Sequence, residues 1–192
     1  CMLKKLYIDN FCCFVDFTFR PEPFQFIEGE NGSGKSSLFD VLWKMRAFIV
    51  KGDPTEKLFP GHLRTRWLNQ PVQSFVLHVE GNGGTYTYDL AIEHSPQPHD
   101  EKPCLVKGEA LLFTPKGKKK LSYFLLNMKG NEVVLHKDDV TECARIPVNP
   151  KVTTSKVWDA PGDRPEFSKL AWFRDWFSRL YCSQINPFDI QA

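Results

Sequence analysis

Lys35, Ser36 and Ser37 stand directly behind the run Gly29-Glu30-Asn31-Gly32-Ser33-Gly34, so residues 29–36 fit the phosphate-loop spacing G-x-x-x-x-G-K-[ST]. Each residue type has a task in holding a polyphosphate. Glycine permits positive φ and close approach of the main chain, so that the N–H groups of Asn31, Gly32, Ser33 and Gly34 can converge on phosphate oxygens. Lys35 would reach the β- and γ-phosphates as a mobile point charge, and the Ser36 hydroxyl would ligate a Mg²⁺ bridging them. A helix starting here adds its positive dipole end. The chemistry expected is binding of ATP and Mg²⁺ through Gly29, Asn31, Gly32, Ser33, Gly34, Lys35, Ser36 and Ser37. No Asn-Lys-x-Asp guanine-reading motif occurs, which favours ATP over GTP.

Such a loop works only between a strand and a helix, and the flanks supply both. The apolar run Phe24-Gln25-Phe26-Ile27 precedes it. Behind it, Leu38, Val41, Leu42, Met45, Phe48 and Ile49 recur at three- and four-residue steps, which predicts a helix over 35–51 with Gly52 as its C-cap. Residues 3–9 and 14–20 read as two earlier strands. Residues 72–80 and 85–93 alternate around Gly81-Asn82-Gly83-Gly84 and predict a hairpin, with further strands at 104–113, 120–128 and 132–136. Residues 137–162, broken by Pro147, Pro150 and Pro161, read as a surface connection. Asp163-Arg164-Pro165-Glu166 has capping-box spacing ahead of a helix to about residue 180, with Leu170, Phe173, Phe177 and Leu180 on one side, and residues 181–187 read as extended.

The stretch Leu6-Tyr7-Ile8-Asp9-Asn10-Phe11, two short strands and Gly29-Glu30-Asn31-Gly32-Ser33-Gly34-Lys35-Ser36-Ser37-Leu38 together resemble the start of the ABC-type ATPase heads of the RecF, SMC and OLD-like group. Those heads open with an Ile-x-Asn-Phe strand and carry a G-x-N-G-[SA]-G-K-[ST]-[ST] loop. The resemblance covers roughly the first fifty residues. It implies an α/β fold of α+β character, the N-terminal lobe of a P-loop NTPase. Its parts would be a nucleotide-binding core over residues 1–71 with a mixed sheet around the phosphate-loop helix, an antiparallel β-subdomain over 72–137, and a connection, helix and tail over 138–192. It further implies head-to-head pairing around ATP and work in DNA maintenance or phage defence. The family commonly has Arg after its Asn-Phe pair, whereas this chain has Cys12.

Hydrolysis needs an acid at the end of an apolar strand to hold the Mg²⁺ shell. The nearest approach is Val133-Val134-Leu135-His136-Lys137-Asp138-Asp139, where two polar residues intervene, so no catalytic residue is assigned. No signature motif or switch His is recognisable, and Gln184 lacks the flanks of a Q-loop. The expectation is an ATP-binding lobe whose missing pieces come from a second lobe, a partner subunit or a homodimer. The alternatives are a non-hydrolytic interaction module and a small P-loop kinase. The basic clusters, His62, Arg64 and Arg66 beside Trp67 and Lys116-Gly117-Lys118-Lys119-Lys120, read as solvated, which leaves DNA as a partner with little support.

Composition fits this picture: 192 residues, 42% apolar and 25% charged with a net charge of +2, describe one ordinary globular domain rather than a polycation. Six cysteines without C-x-x-C or zinc spacing read as reduced thiols, with Cys12 and Cys13 as small hydrophobes of a strand-like run. No signal sequence or membrane span is evident, and a cytoplasmic location is expected.

Overall fold

Alternating side chains on the strands put one apolar stripe on one face of a sheet, and the helices cover that stripe. The structure, a computed structural model, describes residues 2–23, 27, 34–95, 104–118 and 121–180. Among the described residues, strands β1 (Met2–Asp9), β2 (Phe17–Phe19), β3 (Val72–Gly81), β4 (Gly84–Glu93), β5 (Leu105–Pro115), β6 (Tyr123–Lys129), β7 (Glu132–His136) and β8 (Glu142–Pro147) form one sheet, ordered β2-β1-β3-β4-β5-β6-β7-β8. From β3 onward the sheet is a meander, because short connections cannot make the crossover that parallel neighbours need. A mixed sheet was the expectation, yet every pairing among the described residues is antiparallel. The strand expected at 24–27 lies, apart from Ile27, outside the described residues.

Register aligns the stripe across strands. Ile8 stands opposite Phe75 and Phe75 opposite Leu90; Leu6, Leu77, Tyr88 and Leu111 make a second row, and Val79, Tyr86 and Phe113 a third. All of these side chains are buried. Helix α1 (Lys35–Lys51) lays Leu38, Val41, Leu42, Met45, Phe48 and Ile49 on this face, as the periodicity predicts. Phe48 and Phe75 meet Phe59, which follows the single-turn helix α2 (Thr55–Leu58), and Phe11 closes the cluster against Phe59 and Phe75. Full burial of each such ring is worth about 1.5–3 kcal/mol.

The connection at 137–162 is more ordered than its prolines suggest. It contains β8 and a one-turn helix α3 (Lys156–Asp159), with Val152, Ser155, Val157 and Ala160 buried. Strand β8 is an edge strand with a mostly exposed pattern, so it has no alternation to read. The last helix also differs from expectation. A 3-10 turn at Pro165–Phe167 precedes α4 (Ser168–Ser178), and no capping box forms. Asp138 caps α4 instead, accepting from Ser168 Oγ at 2.5 Å and from the Lys169 N–H at 3.2 Å. At the other end Arg46 of α1 donates to the carbonyls of Phe177 and Ser178 at 3.1 and 3.0 Å, a cation on a helix C-terminus. Phe173 and Trp172 of α4 stack on Tyr86.

Gly52 ends α1 at φ 67°, and a Cβ there would lie 2.5 Å from the Trp158 indole nitrogen. Two independent penalties therefore meet at one position: the left-handed conformation costs a side chain about 1 kcal/mol or more, and the indole must move. Gly52→Ala is expected to lower the thermal midpoint by several degrees. Circular-dichroism melts check this, and Gly52→Ala with Trp158→Ala should recover the steric share but not the backbone share.

Candidate functional site

The phosphate-loop positions divide between what the structure describes and what it does not. Gly29, Asn31, Gly32 and Ser33 lie outside the described residues; Gly34, Lys35, Ser36 and Ser37 are described. Gly34 is the N-cap of α1 at φ 92°, a left-handed conformation that favours glycine. Its carbonyl accepts the Leu38 N–H at 3.0 Å and so begins the helix. Among the described residues no side chain caps this end, and the first turn, Lys35-Ser36-Ser37-Leu38, holds no acidic residue, so the helix dipole presents its positive end here. Lys35 and Ser37 are partly exposed and Ser36 is exposed, while the next residue, Leu38, is anchored in the core. The four described positions thus stand together on a rigid helix end.

What supports that end is a turn at Cys12 and Cys13, where the apolar neighbours predict a strand-like run. Phe11 and Phe14 exchange both backbone hydrogen bonds, at 3.2 and 2.8 Å, so Cys12 and Cys13 form the corner of a two-residue turn, with Cys12 at φ 51°. The expectation of a continuous strand over 14–20 fails because Asp16 also turns left-handed, its N–H bonded to the Asp9 carboxylate at 2.9 Å. Cys13 is exposed rather than a buried small hydrophobe, and Cys12 is half-buried. A Cβ on Gly34 would lie 2.9 Å from Cys13 Sγ and 3.3 Å from the Phe14 ring, so the turn packs directly against the loop glycine. Burial, the largest influence, pushes the Cys12 thiol pKa up, against a smaller lowering by the neighbouring Ser37 side chain.

The turn is held in place by Asn10. At φ 59°, it ends β1 and sends its amide to the carbonyls of Gln70 and Val72, at 2.9 and 3.0 Å, while its Oδ1 accepts the Thr65 N–H at 3.0 Å. Cys12 donates its N–H to the Leu63 carbonyl at 2.7 Å. Asn10 and Cys12 therefore tie residues 63–72 to the Phe11–Phe14 turn. Of the basic cluster in this segment, His62 and Arg66 are exposed together with Trp67, while Arg64 is half-buried and donates to the carbonyls of Gly61 and Gln70.

With this geometry in view, similarity to known proteins falls on the same part of the chain. Residues 5–45 match the family model for an AAA domain, a span that holds the second half of β1, all of β2 and the first part of α1. Over 92 residues, 47% of the chain, the sequence is 29% identical to the DNA replication and repair protein RecF of Actinobacillus pleuropneumoniae serotype 5b (strain L20). The lobe resembles a RecF-type AAA ATPase head. The RecF proteins of serotype 3 (strain JL03) and serotype 7 (strain AP76) of the same species match at the same 29% identity and over the same length. The match spans 23% of each relative's length.

Asp138, the nearest approach to a hydrolytic acid, is engaged as the cap of α4 and in an ion pair with Lys169 at 3.8 Å. Asp139 closes its own turn on the Thr141 N–H. Among the described residues no group of three or more His, Cys, Asp or Glu side chains could hold a metal ion. No helix among the described residues is long and apolar enough to cross a membrane.

The support under the turn is pH-sensitive. Gln73 Nε2 donates to the Asn10 carbonyl at 2.9 Å, so its Oε1 accepts from His94 Nε2 at 2.7 Å and the neutral ring carries its proton there. Burial, with a smaller contribution from the Arg64 charge, pushes the His94 pKa down to about 4. A depressed histidine favours the fold fully above its unfolded pKa near 6.5, and this contribution is lost as pH falls towards 4. The loss amounts to about 3 kcal/mol. Urea unfolding at pH 7 and pH 4.5 should show the parent losing more stability than His94→Gln by a large part of this amount; equal losses would contradict the assignment.

Proposed function

We propose that this chain is the ATP-binding lobe of a RecF/SMC-like P-loop ATPase, taking ATP·Mg²⁺ on the loop from Gly29 to Ser37. The observation that carries the reading is the N-terminus of α1, capped by no described side chain, entered through left-handed Gly34 and bearing Lys35 and Ser36, inside the span that matches an AAA domain. Lys35 would neutralise the β- and γ-phosphates, Ser36 would hold the Mg²⁺, and the main chain around Gly34 would bind phosphate oxygens. The residues present fit such a ligand: a lysine in the first turn, an exposed hydroxyl on Ser36 and helix N–H groups that no described side chain caps. Within the lobe, residues 1–71 would carry nucleotide and 72–137 would form the antiparallel arm.

Hydrolysis, on this reading, draws its acid and signature residues from a second lobe, supplied later in a longer chain, by a partner subunit or by a second copy around ATP. The engagement of Asp138 in capping α4 supports this division of labour. So does the surface of α1, where Phe39 and Trp43 are each 45% exposed, one turn apart, on the side away from the sheet. That these relatives are named DNA replication and repair proteins supports a place in DNA maintenance.

Calorimetry with ATP, with and without Mg²⁺, followed by phosphate release on the same sample, tests the proposal. Saturable, Mg²⁺-enhanced binding with little turnover is the expected result. Absence of binding would overturn it, and rapid turnover by the chain alone would overturn the dependence on a second lobe.

A further inference from the structure

We propose that β8 is a self-pairing edge, along which two copies of this chain join antiparallel about a two-fold axis. The inference goes beyond nucleotide binding and does not rest on it. With its strands in the order β2-β1-β3-β4-β5-β6-β7-β8, the sheet has two edges. The edge nearer the phosphate loop is β2, only three residues long. The other is β8, six residues long, and among the described residues it pairs with β7 alone. Its outer side carries free backbone groups. Val148 donates its N–H to the Asn131 carbonyl at 2.7 Å, one step beyond the Glu132–Pro147 pair of the ladder. By the alternation of antiparallel pairing, Ile146 and Ala144 then turn their backbone groups to β7, and Arg145 turns its own outward.

An edge of this kind templates another strand unless its side chains forbid one, and charges of one sign do so by repelling a second copy. Strand β8 carries one charge of each sign. The register shift opposite Leu135 and His136 brings Glu142 and Arg145 to one face, where Arg145 holds the Glu142 carboxylate at 2.6 and 3.1 Å and reaches Glu132 at 3.3 Å. An antiparallel pairing centred between Cys143 and Ala144 sets Glu142 opposite the partner's Arg145 and Arg145 opposite the partner's Glu142. The charges of the edge are thus complementary to themselves.

The apolar side chains follow the same symmetry. Val140 and Ile146, at the two ends of the strand, are 50% and 46% exposed. The register that matches the charges sets Val140 opposite the partner's Pro147, and Thr141 opposite the partner's Ile146, so an exposed apolar residue of each copy is covered at both ends. Every contact is made twice, as a two-fold interface requires. Val140 stands at φ 75°, a conformation unusual for a β-branched residue, so its turn keeps an apolar side chain in solvent at a backbone cost. The joined sheet leaves both phosphate loops free, because β1 and the Phe11–Phe14 turn lie towards the opposite edge, and association needs no nucleotide. Strands of six residues bury less than the about 1,200 Å² of a stable complex, which makes the association weak and dependent on concentration.

The test is sedimentation velocity on the full chain, kept reduced, from about 10 μM to about 1 mM, with and without ATP·Mg²⁺. The expected result is a reversible monomer–dimer equilibrium that nucleotide leaves unchanged. Glu142→Arg alone and Arg145→Glu alone each set like charges opposite one another, and each should weaken dimerisation by about tenfold or more. An equimolar mixture of the two single variants sets opposite charges across the axis at both positions and should dimerise as the parent does. The double variant Glu142→Arg/Arg145→Glu should do the same. Recovery in the mixture also shows that neither variant failed to fold, since mixing repairs no unfolded chain. A parent that stays monomeric up to about 1 mM overturns the proposal. So does a dimer that the single variants leave intact, or one that the mixture fails to restore. A dimer that forms only with ATP·Mg²⁺ overturns it as well, and assigns the association to pairing around nucleotide instead.

Discussion

Lys35→Ala is expected to weaken ATP·Mg²⁺ binding by about 10- to 100-fold while leaving the fold intact. The magnitude follows from the loss of hydrogen bonds to a charged group, about 1.5–3 kcal/mol, with a tenfold change in affinity for each 1.4 kcal/mol or so. The fold should survive because Lys35 is in the first turn of α1 and partly exposed, whereas the helix is held by Leu38, Val41, Leu42, Met45, Phe48 and Ile49. Alanine is also a good helix former. Ser36→Ala should behave differently: affinity for free ATP stays near the parent value, and the enhancement by Mg²⁺ disappears. Thermal shift gives a second readout, since a ligand at a hundred times its dissociation constant stabilises the folded state by about 2.7 kcal/mol. That stabilisation should be large for the parent and small for Lys35→Ala. A Lys35→Ala protein that binds ATP as the parent does would remove the phosphate loop from the function altogether.

The parts of the molecule legible in the sequence are those with a period. Helix α1 announces itself through six apolar residues on one face, and the β3–β4 hairpin through ten-residue alternating strands around Asn82-Gly83, the sharp corner that such a turn requires. Features made by single residues acting over distance were not legible. Asp138 and Ser168 are thirty residues apart, and nothing local marks one as the cap of the other's helix. Strand β8 pairs with β7 from an exposed edge and carries no stripe. Within the candidate site, the glycine-lysine-serine spacing was readable because backbone chemistry imposes it. The Cys12-Cys13 corner was not, since cysteine is an unusual choice for a left-handed turn position and its apolar neighbours mimic a strand. Asn10 gave a partial signal: the Asn-Phe pair carried the resemblance, and the structure supplies its physical reason. A left-handed asparagine ends β1 and helps to fasten residues 63–72 to the Phe11–Phe14 turn.

Removing the Glu109 carboxylate is expected to be the most damaging single change away from the phosphate loop. Glu109 is 1% exposed on β5, and the described groups that bond its carboxylate are two hydroxyls and a backbone N–H. Its Oε1 accepts from Tyr88 Oη at 2.7 Å and Ser155 Oγ at 2.6 Å, and its Oε2 accepts the Lys156 N–H at 2.5 Å. Ser155 in turn accepts from the Val157 and Trp158 N–H groups, so the carboxylate anchors α3 and, through Trp158 against Gly52, the end of α1. Glu109→Leu would strand two buried donors, the Tyr88 and Ser155 hydroxyls, and the part-buried Lys156 N–H, each buried one costing about 1–3 kcal/mol, and should lower stability by about 3 kcal/mol or more at neutral pH. Adding Tyr88→Phe removes one stranded hydroxyl and should recover part of the loss, which a double-mutant cycle in urea would read as a coupling of the two sites. The pH dependence separates the carboxylate from its shape. Burial, only partly offset by the hydrogen bonds, holds the Glu109 pKa above the usual carboxylate value. For a raised acid, the folded state holds its proton more tightly than the unfolded one. The resulting stabilisation is complete below the unfolded pKa near 4.5 and is lost as pH rises through the folded value. The stability advantage of the parent over Glu109→Gln should therefore shrink as pH rises through that window. An advantage that grew instead would mean that the site favours the charged carboxylate, and that the hydrogen bonds from Tyr88, Ser155 and Lys156 outweigh its burial.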